Sequence, residues 1–283
     1  NTTGTENTAV GYLALQDATT AGYNTALGSE AAKNITTGNL NVAVGVEALA
    51  SNTVGDRNVA MGYQALLTFN PDSNVDSYNT AMGHASLKSL TTGTKNTAIG
   101  GLAMETATTG VDNTALGYGA LYANTTASYN TALGTSSLGA NTTGNANVAI
   151  GYQALDANTT AVDNTAVGTA ALSANVTGTR NVGIGRSALG ANTGSYNTAV
   201  GSWSLTANTS GAENTAVGDY TLGYNTTGDD NVAVGQAAMI DNTTGSNNTS
   251  LGHNSLANNT TADNNTAVGK NSLQTNTTGH SNI

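Results

Sequence analysis

One short block repeats from end to end of this chain, and every other feature is subordinate to it. Sixteen consecutive units each open on asparagine, at Asn7, Asn24, Asn41, Asn58, Asn79, Asn96, Asn113, Asn130, Asn147, Asn164, Asn181, Asn197, Asn214, Asn231, Asn248 and Asn265. Fourteen units are seventeen residues long; the unit from Asn58 has twenty-one and that from Asn181 has sixteen. A fixed period of this length restricts the chain to a stacked array in which each unit contacts its neighbours. Residues 1–283 are therefore read as a single repeat array rather than as one or two globular domains. Asn1–Glu6 matches the second half of a unit, Asn282-Ile283 opens another, and neither resembles a cap. The expectation is a fragment of a longer repeat chain.

Numbering the places of a unit 1 to 17 exposes its grammar. Place 1 is Asn, place 2 Thr or Val, place 3 nearly always Ala, place 4 Val, Leu, Ile or Met, and place 5 Gly. Alternation puts places 2 and 4 on one face of an extended segment and place 3 on the other. Leu or Met stands at place 9 in fifteen units. Places 12 to 15 read Asn-Thr-Thr-Gly in the plainest units, such as Asn225 to Gly228. That is turn chemistry, with positive φ expected at the place-15 glycine, and positive φ or close backbone approach at the place-5 glycine. Two glycines per unit and many β-branched residues exclude a helix, at roughly 1 kcal/mol per glycine. The fold class predicted is all-β, a parallel β-solenoid of about sixteen seventeen-residue coils.

Stacking superposes like residues, so the asparagines at places 1 and 12, Asn113, Asn130, Asn147 and Asn164 among the first, are expected to form amide ladders. The aliphatic face supplies the expected core, with Ile150 and Val167 at place 4 and Leu155 and Leu172 at place 9. Ala at place 3 then lies opposite that core, and its small size implies close approach of another surface, from another chain or from this one. The irregular unit carries the only Phe and the only Pro, and a loop insertion is expected near residues 67–76. Asn124, Asn141, Asn158, Asn225, Asn242 and Asn276 each begin Asn-x-Thr, which reads as a by-product of the repeat ahead of a glycosylation acceptor.

Composition removes several function classes. Seven Lys and Arg against seventeen acids give a net charge of −10, and the cations are scattered singly. Neither nucleic acid nor an anionic bilayer suits such a surface. No apolar run is long enough to span a membrane. Cysteine is absent, which excludes disulfides. His84, His253 and His280 are far apart in sequence, no carboxylate column is regular, and no phosphate loop or nucleophile elbow occurs. The reading is non-catalytic, without cofactor or metal. Tyr63 and Tyr152 at place 6 and Trp203 at place 7 are candidate contact residues, for a sugar, a partner surface or a seam between subunits.

The unit N-T-A-V-G-x-x-A-L-x-x-N-T-T-G resembles the head repeats of trimeric autotransporter adhesins and related phage and viral fibre repeats. Thr8-Ala9-Val10-Gly11 and Val148-Ala149-Ile150-Gly151 carry the likeness, which covers the whole chain apart from its longer period. The resemblance implies a left-handed β-roll, a parallel homotrimer and a place outside a cell, on a cell surface or on a virion. The leading expectation is thus a structural fibre or filament segment, adhesive or presenting something else. Its partners would be copies of itself, as a trimer or head to tail, and a surface glycan or host receptor. The alternative is an ice-binding solenoid using Thr columns at places 2, 13 and 14.

Overall fold

The computed structural model describes residues 1–283. It is a parallel β-solenoid with one three-residue strand per repeat and no helix. The chain divides into two compact units, residues 1–143 and 144–283. The first holds β1 (Thr8–Val10), β2 (Thr25–Leu27), β3 (Val42–Val44), β4 (Val59–Met61), β5 (Thr80–Met82), β6 (Thr97–Ile99), β7 (Thr114–Leu116) and β8 (Thr131–Leu133). The second holds β9 (Val148–Ile150), β10 (Thr165–Val167), β11 (Val182–Ile184), β12 (Thr198–Val200), β13 (Thr215–Val217), β14 (Val232–Val234), β15 (Thr249–Leu251) and β16 (Thr266–Val268). Within each unit every strand pairs in parallel with the next. Thr8 lies opposite Thr25 and Ala9 opposite Ala26 in the first unit, and Thr249 opposite Thr266 in the second.

Backbone amides tie each coil to both neighbours. Thr215 N–H donates forward to the Asn231 carbonyl at 2.8 Å, and Leu222 N–H to that of Ala238 at 3.0 Å. Gly218 and Tyr220 N–H donate backward to Val200 and Ser202. At place 13 one carbonyl takes several donors. Thr36 O accepts from the N–H groups of Thr19, Thr20 and Ala21 and from the Thr19 hydroxyl, the last at 2.9 Å.

The interior lies on the face opposite to the one the aliphatic pattern suggests. Ala166, Ala199, Ala216 and Ala233, all at place 3, are fully buried. Place 4 points outward. Ile150 and Val167 are half-buried and do not belong to the core, whereas Leu155 and Leu172 are buried completely. The reason is the narrowness of the coil. At Gly183, which stands at place 3, an added Cβ would sit 3.2 Å from Leu172 Cγ and 3.2 Å from the Ala188 carbonyl oxygen. A methyl group barely fits and a larger one does not. The surface that keeps place 3 small is therefore the same chain. Core volume is conserved across places. Where place 9 is only Ala32, place 12 supplies Ile35, and both are buried.

Positive φ at place 5 is as expected. At Gly168 φ is +135°, and a Cβ there would lie 2.6 Å from the Gly185 carbonyl oxygen. Place 15 is different. Gly38 has no positive φ; its missing side chain makes room for the Gly55 carbonyl, 2.7 Å from where a Cβ would stand. The left-handed residues are instead ordinary ones, at places 7, 9 and 17: Tyr220, Leu222 and Asp230 in one coil, at φ 54°, 50° and 56°. Each costs roughly 1–2 kcal/mol in isolation, so the ladders between coils must hold them.

Both length irregularities fall at one corner. Phe69 is buried at place 12 and Thr68 N–H bonds the Lys88 carbonyl, so the extra residues lie within 70–77, not from residue 67. That loop folds back on the previous coil. Asp56 N–H donates to Val75 O, Ser77 N–H to Asp56 O, and Arg57 Nε to Asp76 Oδ1 at 2.6 Å. Register resumes with Val59 opposite Thr80. The short coil drops one residue between Thr193 and Ser195, and Val182 still faces Thr198.

Candidate interaction surfaces

The place-1 asparagines form the expected ladder inside the wall. In the first unit Asn113 Nδ2 donates to Asn96 Oδ1 at 3.0 Å, and Asn130 Nδ2 to Asn113 Oδ1 at 3.3 Å. In the second, Asn164 Nδ2 donates to Asn147 Oδ1 at 3.2 Å. Each amide does more than stack. Asn231 N–H and Nδ2 both donate to Asn214 Oδ1, and Nδ2 also donates to the Gly245 carbonyl at 2.8 Å. A second ladder runs at place 12 through Asn208, Asn225, Asn242 and Asn259, with Nδ2-to-Oδ1 distances of 2.8–2.9 Å between successive members. Asn124, Asn141, Asn158, Asn225 and Asn242 are fully buried, so their sequons are closed to glycan attachment in the folded chain.

With asparagine and alanine turned inward, the outward sheet face carries Thr or Val at place 2 and an aliphatic at place 4. Val10, Leu27, Leu116, Leu251 and Val268 are 56%, 49%, 42%, 47% and 66% exposed. No charged residue occurs in either column. Within each unit this makes an exposed apolar stripe of a kind that monomeric surfaces rarely carry.

Tyrosines border the stripe. In the first unit they come in pairs at places 6 and 17 of every third coil: Tyr12 with Tyr23, Tyr63 with Tyr78, and Tyr118 with Tyr129. All six are exposed. Of the candidate contact residues, Tyr152 stands exposed, while Tyr63 stacks on His84 at 5.5 Å between centroids. Trp203 is half-buried in a column, with the Arg186 guanidinium 5.1 Å from its centroid and Tyr220 stacked at 6.1 Å. Arg180 similarly covers Tyr196 and bonds its hydroxyl at 2.9 Å.

Titratable groups do not converge. No three His, Asp or Glu side chains stand together as metal ligands would. His280 Nδ1 accepts from the Asp263 backbone N–H at 2.8 Å. Burial raises the Asp56 carboxyl above its ordinary range, opposed by the Asn39 N–H that donates to it at 2.6 Å and reinforced by the charge of Asp76. Burial likewise raises Asp156, whose Oδ1 has no partner. No helix is long and apolar enough to cross a membrane.

One concavity was not foreseen. Leu102, Tyr118, Gly119, Tyr122, Ser136 and Gly139 line an open groove of about 330 Å³ in the first unit. Its sequence signal is a coincidence of missing side chains, because Gly119 is the only glycine at place 7 and Gly139 stands at place 10 of the next coil.

No protein-family model matches the chain, and no curated protein matches it.

Proposed function

We propose that this chain is a structural, non-catalytic segment of a fibre or filament on a cell or virion surface, and that its outward sheet face is where copies of it meet. The exposed aliphatic column at place 4 carries this reading. A solvent-facing strand ordinarily alternates to polar residues, yet here every coil presents Val, Leu, Ile or Met outward. Association would bury that column, and the net charge of −10 per chain would keep the assembled particle soluble. The likeness to adhesin head repeats supports the finer arrangement, a left-handed roll in three parallel chains, and an adhesive or presenting role outside the cell.

Mass measurement in solution with negative-stain imaging tests this. Three copies in one particle are expected, reduced to one copy when Ile150, Val167, Ile184 and Val200 are replaced together by Lys. A folded single-copy particle at micromolar concentration would overturn the proposal.

Ice binding is the second reading. The Thr residues at place 2 lie on the exposed face beside the aliphatic column, which favours it, but Val42, Val59, Val148, Val182 and Val232 interrupt the Thr column, which counts against it. The place-13 hydroxyls count against it, since Thr226 and Thr243 spend theirs on neighbouring carbonyls at 2.9 Å. Thermal hysteresis of the purified chain decides between the two.

A further inference from the structure

We propose that the groove between Tyr118 and Tyr122 is a binding subsite for a neutral sugar ring. The proposal goes beyond the fibre reading and does not depend on how many chains associate. Tyr118 and Tyr122 are 60% and 41% exposed and line the groove together with Gly119 and Gly139. At Gly119 an added Cβ would meet nothing within 4 Å, so the space is open above the backbone rather than filled by a neighbour. Tyr118 leans over Gly101, where a Cβ would come 3.5 Å from its Cδ2, and the absence of a side chain there lets the ring lie low.

The backbone here is rigid. Gly119 N–H bonds Gly101 O at 3.0 Å, Ser136 N–H bonds Tyr118 O at 3.0 Å, and Ala123 N–H bonds Gly139 O at 3.0 Å. These backbone groups are already engaged, so recognition falls to side chains. The lining holds three hydroxyls, of Tyr118, Tyr122 and Ser136, none bonded to another protein group, and no charged side chain. Aromatic faces beside neutral hydroxyls match a pyranose, which offers an apolar C–H face and a hydroxylated rim. A volume of about 330 Å³ accommodates one or two rings. Anionic sugars are disfavoured by the net charge of −10, and the lining offers no cation to pair with one. Tyrosines fixed on a rigid scaffold lose little entropy on binding.

The repeat itself supplies the control variants. Place 7 holds Gln64 and Gln153 in other coils, at φ 56° and 54°, so Gly119→Gln fills the groove with a residue the fold already accepts. Place 10 holds Gln16 and Gln274, so Gly139→Gln does the same from the other side. Saturation-transfer NMR on the full chain would use methyl glucoside, methyl galactoside, cellobiose, lactose and chitobiose as probes. At least one is expected to receive transfer through its ring protons. That signal should fall at least about tenfold in Gly119→Gln and in Tyr118→Ala, with the melting temperature of Gly119→Gln unchanged. No transfer to any of the five in the parent chain, or transfer that survives Gly119→Gln, overturns the proposal.

Discussion

The two units use the same backbone but fill place 12 differently. In the first, five of the eight coils fill it with an apolar residue, Ala18, Ile35, Phe69, Leu90 and Ala107, all buried, and the other three carry Asn52, Asn124 and Asn141. In the second it is asparagine in every coil, from Asn158 to Asn276. Place 1 never varies in either. The difference follows from which groups depend on each amide. The carbonyl at place 15 receives Nδ2 from both asparagines: Gly55 O accepts from Asn41 at 3.0 Å and from Asn52 at 2.9 Å. Remove the place-12 donor and that carbonyl is still satisfied. The place-1 Oδ1, by contrast, holds the next coil's backbone N–H, as Asn231 holds Asn248 N–H at 3.0 Å, and nothing else is placed to do so. Hydrocarbon can replace the dispensable amide and cannot replace the other.

Substitutions can break this contrast, and hydrogen exchange in the native state reads each locally, as a linear array requires. Phe69→Ala should have the largest effect, about 4 kcal/mol, because a large buried ring leaves a cavity beside Gly55 that a narrow coil cannot close. Asn231→Leu should cost about 3 kcal/mol by stranding Asn248 N–H and weakening both flanking amides. Asn225→Leu should cost only about 1 kcal/mol, since Asn214 Nδ2 still reaches Gly228 O at 2.8 Å. Equal losses at positions 231 and 225 would sink the distinction.

The smallest effect concerns pH. The folded-state pKa of Asp156 is raised by burial, so its charged form is the disfavoured one. Its destabilisation is present at neutral pH and is relieved as pH falls through the raised value toward the ordinary one. Asp156→Asn should remove that gain in acid, measured by melting the parent and variant in parallel from pH 7 downward.

Much of this architecture was legible in the sequence. Invariant Asn and Gly at fixed spacing specify coils, strand and ladder, and Leu155 and Leu172 could be placed inside. The face of the strand could not. A period of two separates place 3 from places 2 and 4 without saying which side is interior. Preference for burying the larger side chain pointed to Ile150 and Val167, but the width left beside Leu172 admits only a methyl. The left-handed backbone at Leu222 and Tyr220 has no residue signature at all, since neither type favours it; the ladders impose it. The groove at Tyr118 rests on two glycines that look unremarkable in a chain holding thirty-five.

The corner from place 13 to place 16 absorbs a longer unit and a shorter one while the strands on either side keep their partners. Elsewhere a changed length would pull glycines and amides off their counterparts. The molecule therefore offers one natural port for foreign sequence. Peptides grafted at that corner, in any coil, should be displayed at intervals of a few ångströms without disturbing the wall that carries them.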